Sequence, residues 1–481
     1  MGGAGAMKVR NPRTGEADHE IAPLGENSVA ALARRLRSAQ PVWAARQPSD
    51  RAAILRRLAA AIEARHAAIA DALTTDTGRR AISHVEVRGA LGLIARWAAS
   101  APDLIAAVED APPQPTSIAG ITTRTRLVPY PLVGVISPWN FPLTLALIDT
   151  IPALAAGAAV IVKPSEVTPR FIRPLMAAVA DVPEIADVLA VVEGDGATGA
   201  ALIAYVDYVA FTGSVATGRK VAHAAAEAMI PASLELGGKD PMIVMASSDP
   251  DWAAEVALRA SVVNAGQACQ SIERIYVDAR IAEAFIEALV TKAEAVRLND
   301  ADIGSGDIGP FIFWRQADIV EAQLKDAVEK GAMILTGGHV DRSRGGAWLR
   351  PTVIGAVSHD MALMREETFG PVLPVVVFDT IDEAVALAND GDFGLSAAVL
   401  AGSVEEAEGV AIRLNAGAVS INDGALTSMV WEAEKSSFGA SGLGPSRMGA
   451  SGLMRFFRWQ ALIRQEGQAL PLGAYAEETV R

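Results

Sequence analysis

Four short aliphatic runs, separated by stretches of helical periodicity, constrain the fold of this chain more than any other feature. They are Leu132-Val-Gly-Val-Ile136, Ala159-Val-Ile-Val-Lys163, Val188-Leu-Ala-Val-Val192 and Val206-Asp-Tyr-Val-Ala-Phe211. Helical patterns run from Leu143 to Ala155 and near 168–180. Strands apolar on both faces, joined by helices, predict a parallel sheet covered on both sides. A second alternating block begins at Pro241-Met-Ile-Val-Met245. It continues through Arg274-Ile-Tyr-Val277, Val372 to Phe378, Ala397-Ala-Val-Leu400 and Ala418-Val-Ser-Ile421, with helices near 250–263, 281–297 and 403–413. A chain of 481 residues exceeds one ordinary core, so two α/β domains meeting near Gly237-Gly238 are expected.

Composition removes other classes. The net charge of −14 opposes binding to nucleic acid or to anionic membrane. The start, Met1 to Ala6, has no apolar core of a signal peptide and, with Ala6, misses the myristoylation pattern. The ending Thr479-Val-Arg481 is no recognised address, and the cytoplasm is the default compartment. Between Arg126 and Lys163 the sole charge is Asp149, yet Pro131, Pro138, Pro142 and Pro152 interrupt that stretch, which argues against a membrane span. Residues 49–76 read as one helix capped by Asp50. Ser117 to Tyr130 alternates like a hairpin arm, and the tail carries Leu462-Ile463 and Leu470-Pro-Leu472. Apolar arms outside both cores suit subunit pairing or surface loops.

Cys269 is the only cysteine, which excludes an internal disulfide and a cysteine metal cage. It is either a buried small hydrophobe or a nucleophile, and Gly266 and Gln267 beside it suit a loop. The six histidines include no metal-ligand pair, and no metal is expected. Gly213-Ser-Val-Ala-Thr-Gly218 follows a strand and opens a helix, where free N–H groups and the dipole suit a pyrophosphate. Lys163-Pro-Ser-Glu166 ends a strand, where both side chains can meet a ribose or simply form a solvated pair. Glu235, flanked by leucines and by Gly237-Gly238, suits general-base work. Asn140, in Ser137-Pro-Trp-Asn-Phe-Pro142, offers an amide for an oxyanion or merely a turn.

Six segments in one order resemble the aldehyde dehydrogenase superfamily. They are Pro138-Trp-Asn-Phe-Pro142, Lys163-Pro-Ser-Glu166, Phe211-Thr-Gly-Ser214, Glu235-Leu-Gly-Gly-Lys239, Gly266-Gln-Ala-Cys269 and Glu367-Thr-Phe-Gly-Pro371. The likeness runs from Asn11 to about Gly449, and the 34-residue interval from Glu235 to Cys269 fits it. It implies an α/β, aldehyde-dehydrogenase-like fold: a Rossmann-type cofactor domain (1–115 and 131–236), an α/β catalytic domain (237–452), and a small β oligomerisation arm with the C-terminal tail (116–130 and 453–481). It also implies Cys269 as nucleophile, Asn140 and the Cys269 backbone N–H as oxyanion donors, Glu235 as base for hydrolysis of a thioester, and Lys239 in a proton relay. The cofactor would be NAD, with NADP possible. Ile136, Pro138, Trp139, Lys163, Ser165, Glu166, Gly213, Ser214, Gly237, Glu367 and Phe369 would hold it. Glu166 favours NAD, because a carboxylate repels a 2′-phosphate. The partners implied are a small aldehyde and further copies of the chain, as a homodimer or homotetramer.

The chain departs from the family pattern at Lys435-Ser-Ser-Phe-Gly-Ala-Ser-Gly-Leu-Gly-Pro-Ser-Arg-Met-Gly449. Just before it, Met429, Val430 and Trp431 suit an apolar or aromatic aldehyde or ordinary loop packing, and no local arginine marks a carboxylated one. Transfer of the acyl group to coenzyme A, a semialdehyde substrate and a non-catalytic scaffold are the competing readings.

Overall fold

The computed structural model describes residues 6–477. Residues 1–5 and 478–481, which include most of the Met1–Ala6 start and the Thr479–Arg481 ending, lie outside the described residues. The first apolar block forms five parallel strands: β1 (Leu132–Ile136), β2 (Ala159–Lys163), β3 (Leu189–Val191), β4 (Tyr208–Thr212) and β5 (Ala232–Glu235). All but β5 are buried along their whole length, as expected of Val/Ile-rich strands covered on both faces. Helix α1 (Pro142–Ala156) joins β1 to β2, starting on Pro142 and stopping at Gly157, whose φ of 103° only glycine adopts readily. Helix α2 (Gly196–Ile203) leads into β4, and α3 (Val215–Glu227) leaves it.

The second block forms β6 (Asp240–Val244), β7 (Ile272–Asp278), β8 (Met333–Thr336), β9 (Thr352–Gly355), β10 (Val372–Phe378), β11 (Ser396–Leu400) and β12 (Ala418–Ile421). Their order is β8-β9-β10-β7-β6-β11-β12, parallel except for the edge strand β8. Helix α4 (Pro250–Val262) connects β6 to β7. Asp249 caps it by accepting from the Trp252 N–H at 2.8 Å.

A late return strand, β13 (Gly442–Leu443), pairs antiparallel with β5 and gives the first sheet the order β13-β5-β4-β1-β2-β3. Leu453, Phe456 and Phe457 lie in the core of that first sheet as well. The C-terminal segment therefore packs on the first sheet, whereas the sequence suggested that it belonged to the second domain and the tail. The arm is also built differently from a hairpin. Strand Ile121–Pro129 pairs over its whole length with Phe457–Gln465, and only Gln114-Pro115 adds to its other edge.

The helix expected over 49–76 breaks into Pro48–Glu63 and His66–Thr77, and Asp50 sits in the first turn rather than at the cap. Arg80–Glu109 is, among the described residues, the one helix long and apolar enough to cross a membrane. It packs against Pro48–Glu63 and α1, burying Val87, Ile94 and Trp97.

Candidate active site

Loops at the C-terminal ends of β1, β2, β4 and β5 meet the loops before β7 and β10 around a cleft of about 690 Å³. Ligands of open parallel sheets settle at this edge. Every residue singled out for the cofactor lines it: Ile136, Pro138, Trp139, Lys163, Ser165, Glu166, Gly213, Ser214, Gly237, Glu367 and Phe369. So do Asn140, Glu235 and Cys269. Lys239 does not line this cleft. It is buried, and its ammonium donates to Glu273 at 2.7 Å and Thr368 at 2.8 Å. Burial lowers its pKa against the pull of Glu273.

That ion pair braces the opposite wall. Glu273 also accepts the N–H groups of Thr368 at 2.8 Å and Phe369 at 2.7 Å. Phe369 has a φ of 52°, costly for an aromatic residue, and these two bonds hold it there. Its ring meets Trp139 edge-on with centroids 5.4 Å apart, and Phe313 joins them. Glu367 accepts the Gly238 N–H at 3.3 Å. Burial, reinforced by the Glu273 charge, pushes its carboxyl up to about 8.

The loop that leads to Cys269 is held by left-handed backbone. Asn264, Ala265 and Gly266 have φ of 61°, 54° and 69°. A side chain on Gly266 would lie 2.2 Å from the Gly370 carbonyl, so only glycine fits there. The side-chain amide of Asn264 donates to the carbonyls of Asn140 at 3.1 Å and Gln267 at 2.9 Å. Arg79 donates to the same Asn140 carbonyl at 3.0 Å and to the Asn264 side chain. The Asn140 amide donates to the Gln267 carbonyl at 3.1 Å, which takes one of its two N–H groups. Cys269 is half-buried, and burial, with Glu367, Asp240 and Glu235 nearby, pushes its thiol up to about 12.

On the cofactor side, Lys163 and Glu166 pair at 3.1 Å at the end of β2. The N-terminus of α3 opens at Gly213-Ser214, with Ser214 as its cap. Gly196 and Gly199 of α2 open the facing wall beside Ala200 and Ile203, and a Cβ on Gly199 would approach Ile136 and Lys163 at 3.7 Å. Free N–H groups, a helix dipole, a lysine–carboxylate pair and a wall of small residues fit a dinucleotide.

Several residues of this region escaped the sequence reading. Ser437 donates to Glu235 at 3.0 Å, and Lys435 and Arg447 come in with the same return segment. Lys435 stands in the run that departs from the family pattern and carries no local signal of its place beside Glu235. Phe313 and Gln316 line the cleft but carry no recognisable local signal. Trp431 packs on Trp97, centroids 5.3 Å apart, and under Arg96, while Met429 and Val430 face outward.

A fold of this kind with a thiol, an amide and a carboxylate around a dinucleotide-sized cleft is that of a nicotinamide-dependent oxidoreductase. The sequence profile of the aldehyde dehydrogenase family matches residues 2–462, and the chain belongs to that family. It is an oxidoreductase acting on aldehydes. Among curated relatives, the "Putative succinate-semialdehyde dehydrogenase (NADP+)" of Mycolicibacterium smegmatis is 36% identical over 449 residues, 92% of this chain and 85% of the relative. The solved structure of "Putative Aldehyde Dehydrogenase PutA" from Anabaena variabilis is 51% identical, with a TM-score of 0.94 over 97% of this chain and 99% of that one. Betaine aldehyde dehydrogenase from Staphylococcus aureus, solved in complex with NAD+, is 28% identical, with a TM-score of 0.89 over 97% and 93%.

Proposed function

We propose that this chain oxidises an aldehyde to its carboxylic acid through a thioester on Cys269, with NAD or NADP as the hydride acceptor. The carrying observation is that Cys269, Asn140 and Glu235 line one cleft together with the residues expected to hold the cofactor. The Cys269 thiolate attacks the aldehyde carbon and forms a carbon–sulfur bond. The free N–H of the Asn140 amide and the Cys269 backbone N–H receive the oxyanion. The dinucleotide, when bound, supplies the two-electron sink by accepting the hydride from that carbon. Glu235 then takes a proton from water, whose oxygen attacks the thioester carbon; the acid leaves and the thiolate returns. Ser437 on the Glu235 carboxylate orients the base.

Lys163, Ser165 and Glu166 hold the adenosine ribose, Gly213 and Ser214 the pyrophosphate, and Glu367 the nicotinamide ribose. Ile136, Pro138, Trp139, Gly237 and Phe369 pack around the dinucleotide. The carboxylate of Glu166 beside Lys163 supports NAD over NADP. Residues 131–236 carry most of the dinucleotide contacts together with Asn140 and Glu235, and 237–441 carry Cys269 together with Gly237, Glu367 and Phe369. Lys239 has a different part from a proton relay: it positions Glu273 and the 367–369 turn. The exposed Trp459 and Ile463 on the arm support self-association as a dimer or tetramer.

Of the relatives named above, one takes its name from an anionic aldehyde and one from a cationic aldehyde, so their names do not choose a substrate. Leu145 on the cleft wall supports an apolar or aromatic aldehyde. The test is a panel of aliphatic, aromatic and carboxylated aldehydes ranked by kcat/KM, with and without coenzyme A. Preference for an uncharged aldehyde and independence from coenzyme A are expected. Preference for a carboxylated one would overturn the substrate class, and a requirement for coenzyme A would overturn the hydrolytic step.

A further inference from the structure

The segment that departs from the family pattern is pinned against the reacting groups. Ser437 donates to Glu235 at 3.0 Å, β13 pairs Gly442 with Glu235, and Phe438-Gly439 pairs with Phe393-Gly394. At its start, Glu434 accepts the Ser451 N–H and hydroxyl, each at 2.8 Å. Between these anchors Lys435 turns inward. Its backbone N–H donates to the Ser446 hydroxyl at 3.1 Å, and its ammonium donates to the Thr427 carbonyl at 2.6 Å. The Thr427 hydroxyl in turn donates at 3.1 Å to Gln270, the neighbour of Cys269.

The charged groups facing Cys269 are Glu235 on β5, Asp240 on β6, Glu367 before β10, and the cations Arg447 and Lys435. Lys435 itself faces Glu235, Cys269, Asp240 and Arg447. Arg447 is committed elsewhere: it donates to Asp149 at 3.1 and 3.0 Å and to Thr212 at 2.6 Å. Among the described residues Lys435 is then the facing cation without a carboxylate in an ion pair, a lone carbonyl being its acceptor.

We propose that Lys435 is a charge-positioning residue of this site: its ammonium, held on the Thr427 carbonyl, offsets the carboxylates around Cys269 and stabilises the thiolate. The proposal rests on reading Cys269 as the nucleophile. Burial lowers the Lys435 ammonium and raises the Cys269 thiol, and the Cys269 charge draws Lys435 back toward its ionised form; a cation held opposite a thiol favours the thiolate by the same attraction. The thiolate, not the thiol, reacts.

Cys269 is the only thiol, so alkylation by iodoacetamide, a neutral reagent, reads it alone in the full-length chain. The rate is followed from pH 6 to 10 in wild type, K435Q, K435M and K435R. Loss of the ammonium is expected to displace the profile by about one unit to higher pH, or about tenfold in rate at neutral pH. K435R is expected to restore it. A second neutral variant guards against one that fails to fold. A profile for the folded neutral variants that superimposes on wild type overturns the proposal. So does an unmoved profile with a raised KM for carboxylated aldehydes alone, which would make Lys435 a substrate anchor. NADH formation that survives C269S would instead remove Cys269 as nucleophile, a separate failure.

Discussion

Glu367 shows how a single side chain sets a measurable property of the whole site. Its carboxyl stands near 8, well above the ordinary carboxylate range, because it is buried and faces Glu273. Ribose hydroxyls donate to a carboxylate and so favour its ionised form. If Glu367 holds the nicotinamide ribose, bound dinucleotide lowers that pKa and binding releases a proton at neutral pH. NAD affinity is then expected to rise as pH increases from 7 through 8, level off above 9, and lose this dependence in E367Q. Titration calorimetry in two buffers of different ionisation enthalpy measures both affinity and proton release. Affinity that falls over the same range would contradict the assignment. At this scale the sequence was most legible where a short motif fixes local geometry, as around Cys269, Asn140 and Glu235. Lys239, from the same motif as Glu235, lies outside the cleft. Four residues after Glu235 the chain has already turned from β5 toward β6, and the ammonium is carried to Glu273 behind the cleft.

Among the elements, α1 is held by a charge in its apolar body. Asp149 is buried, and burial alone would push its carboxyl up; the guanidiniums of Arg447 and Arg455 outweigh that and hold it below its ordinary value. Arg447 also reaches Thr212, whose register partner across β4 and β5 is Glu235. Breaking a buried ion pair from one side costs about 3–5 kcal/mol. Arg447→Met is therefore expected to lower stability by about 3 kcal/mol or more in urea unfolding, and a change within about 0.5 kcal/mol would show that Arg455 suffices. Strands β1 to β4 were legible because their apolar runs are contiguous. The Asp149–Arg447 contact was not, because it joins positions 298 residues apart and neither residue bears a local mark of the other. The break between Pro48–Glu63 and His66–Thr77 was hidden by apolar residues that keep a helical spacing on both sides of it.

For the whole molecule the arm is the exposed feature. Strand Phe457–Gln465 is exposed at every position after Phe457, including Trp459 at 59% and Ile463 at 70%. These two lie four residues apart, hence on the same face of the strand. An apolar face of this kind suits a second copy of the chain. Ile463→Arg is expected to shift the mass measured by light scattering toward the monomer and to leave the unfolding of the first core unchanged. An unaltered mass would place any association elsewhere. The alternating pattern near 117–130 betrayed the existence of an arm. Its partner strand, more than 300 residues later, could not be read from local pattern, since pairing at such distance is fixed only by the folded core between them.

The proposed division of labour between Cys269 and Glu235 is read out by intact-protein mass spectrometry. Glu235→Gln, mixed with NAD and a good aldehyde substrate from the panel, is expected to form about one equivalent of NADH per site. It should also accumulate an acyl adduct on Cys269, lost in the double variant with Cys269→Ala. Turnover without an adduct at the wild-type rate would rule out Glu235 as the base, and NADH formation by Cys269→Ala would rule out Cys269 as the nucleophile.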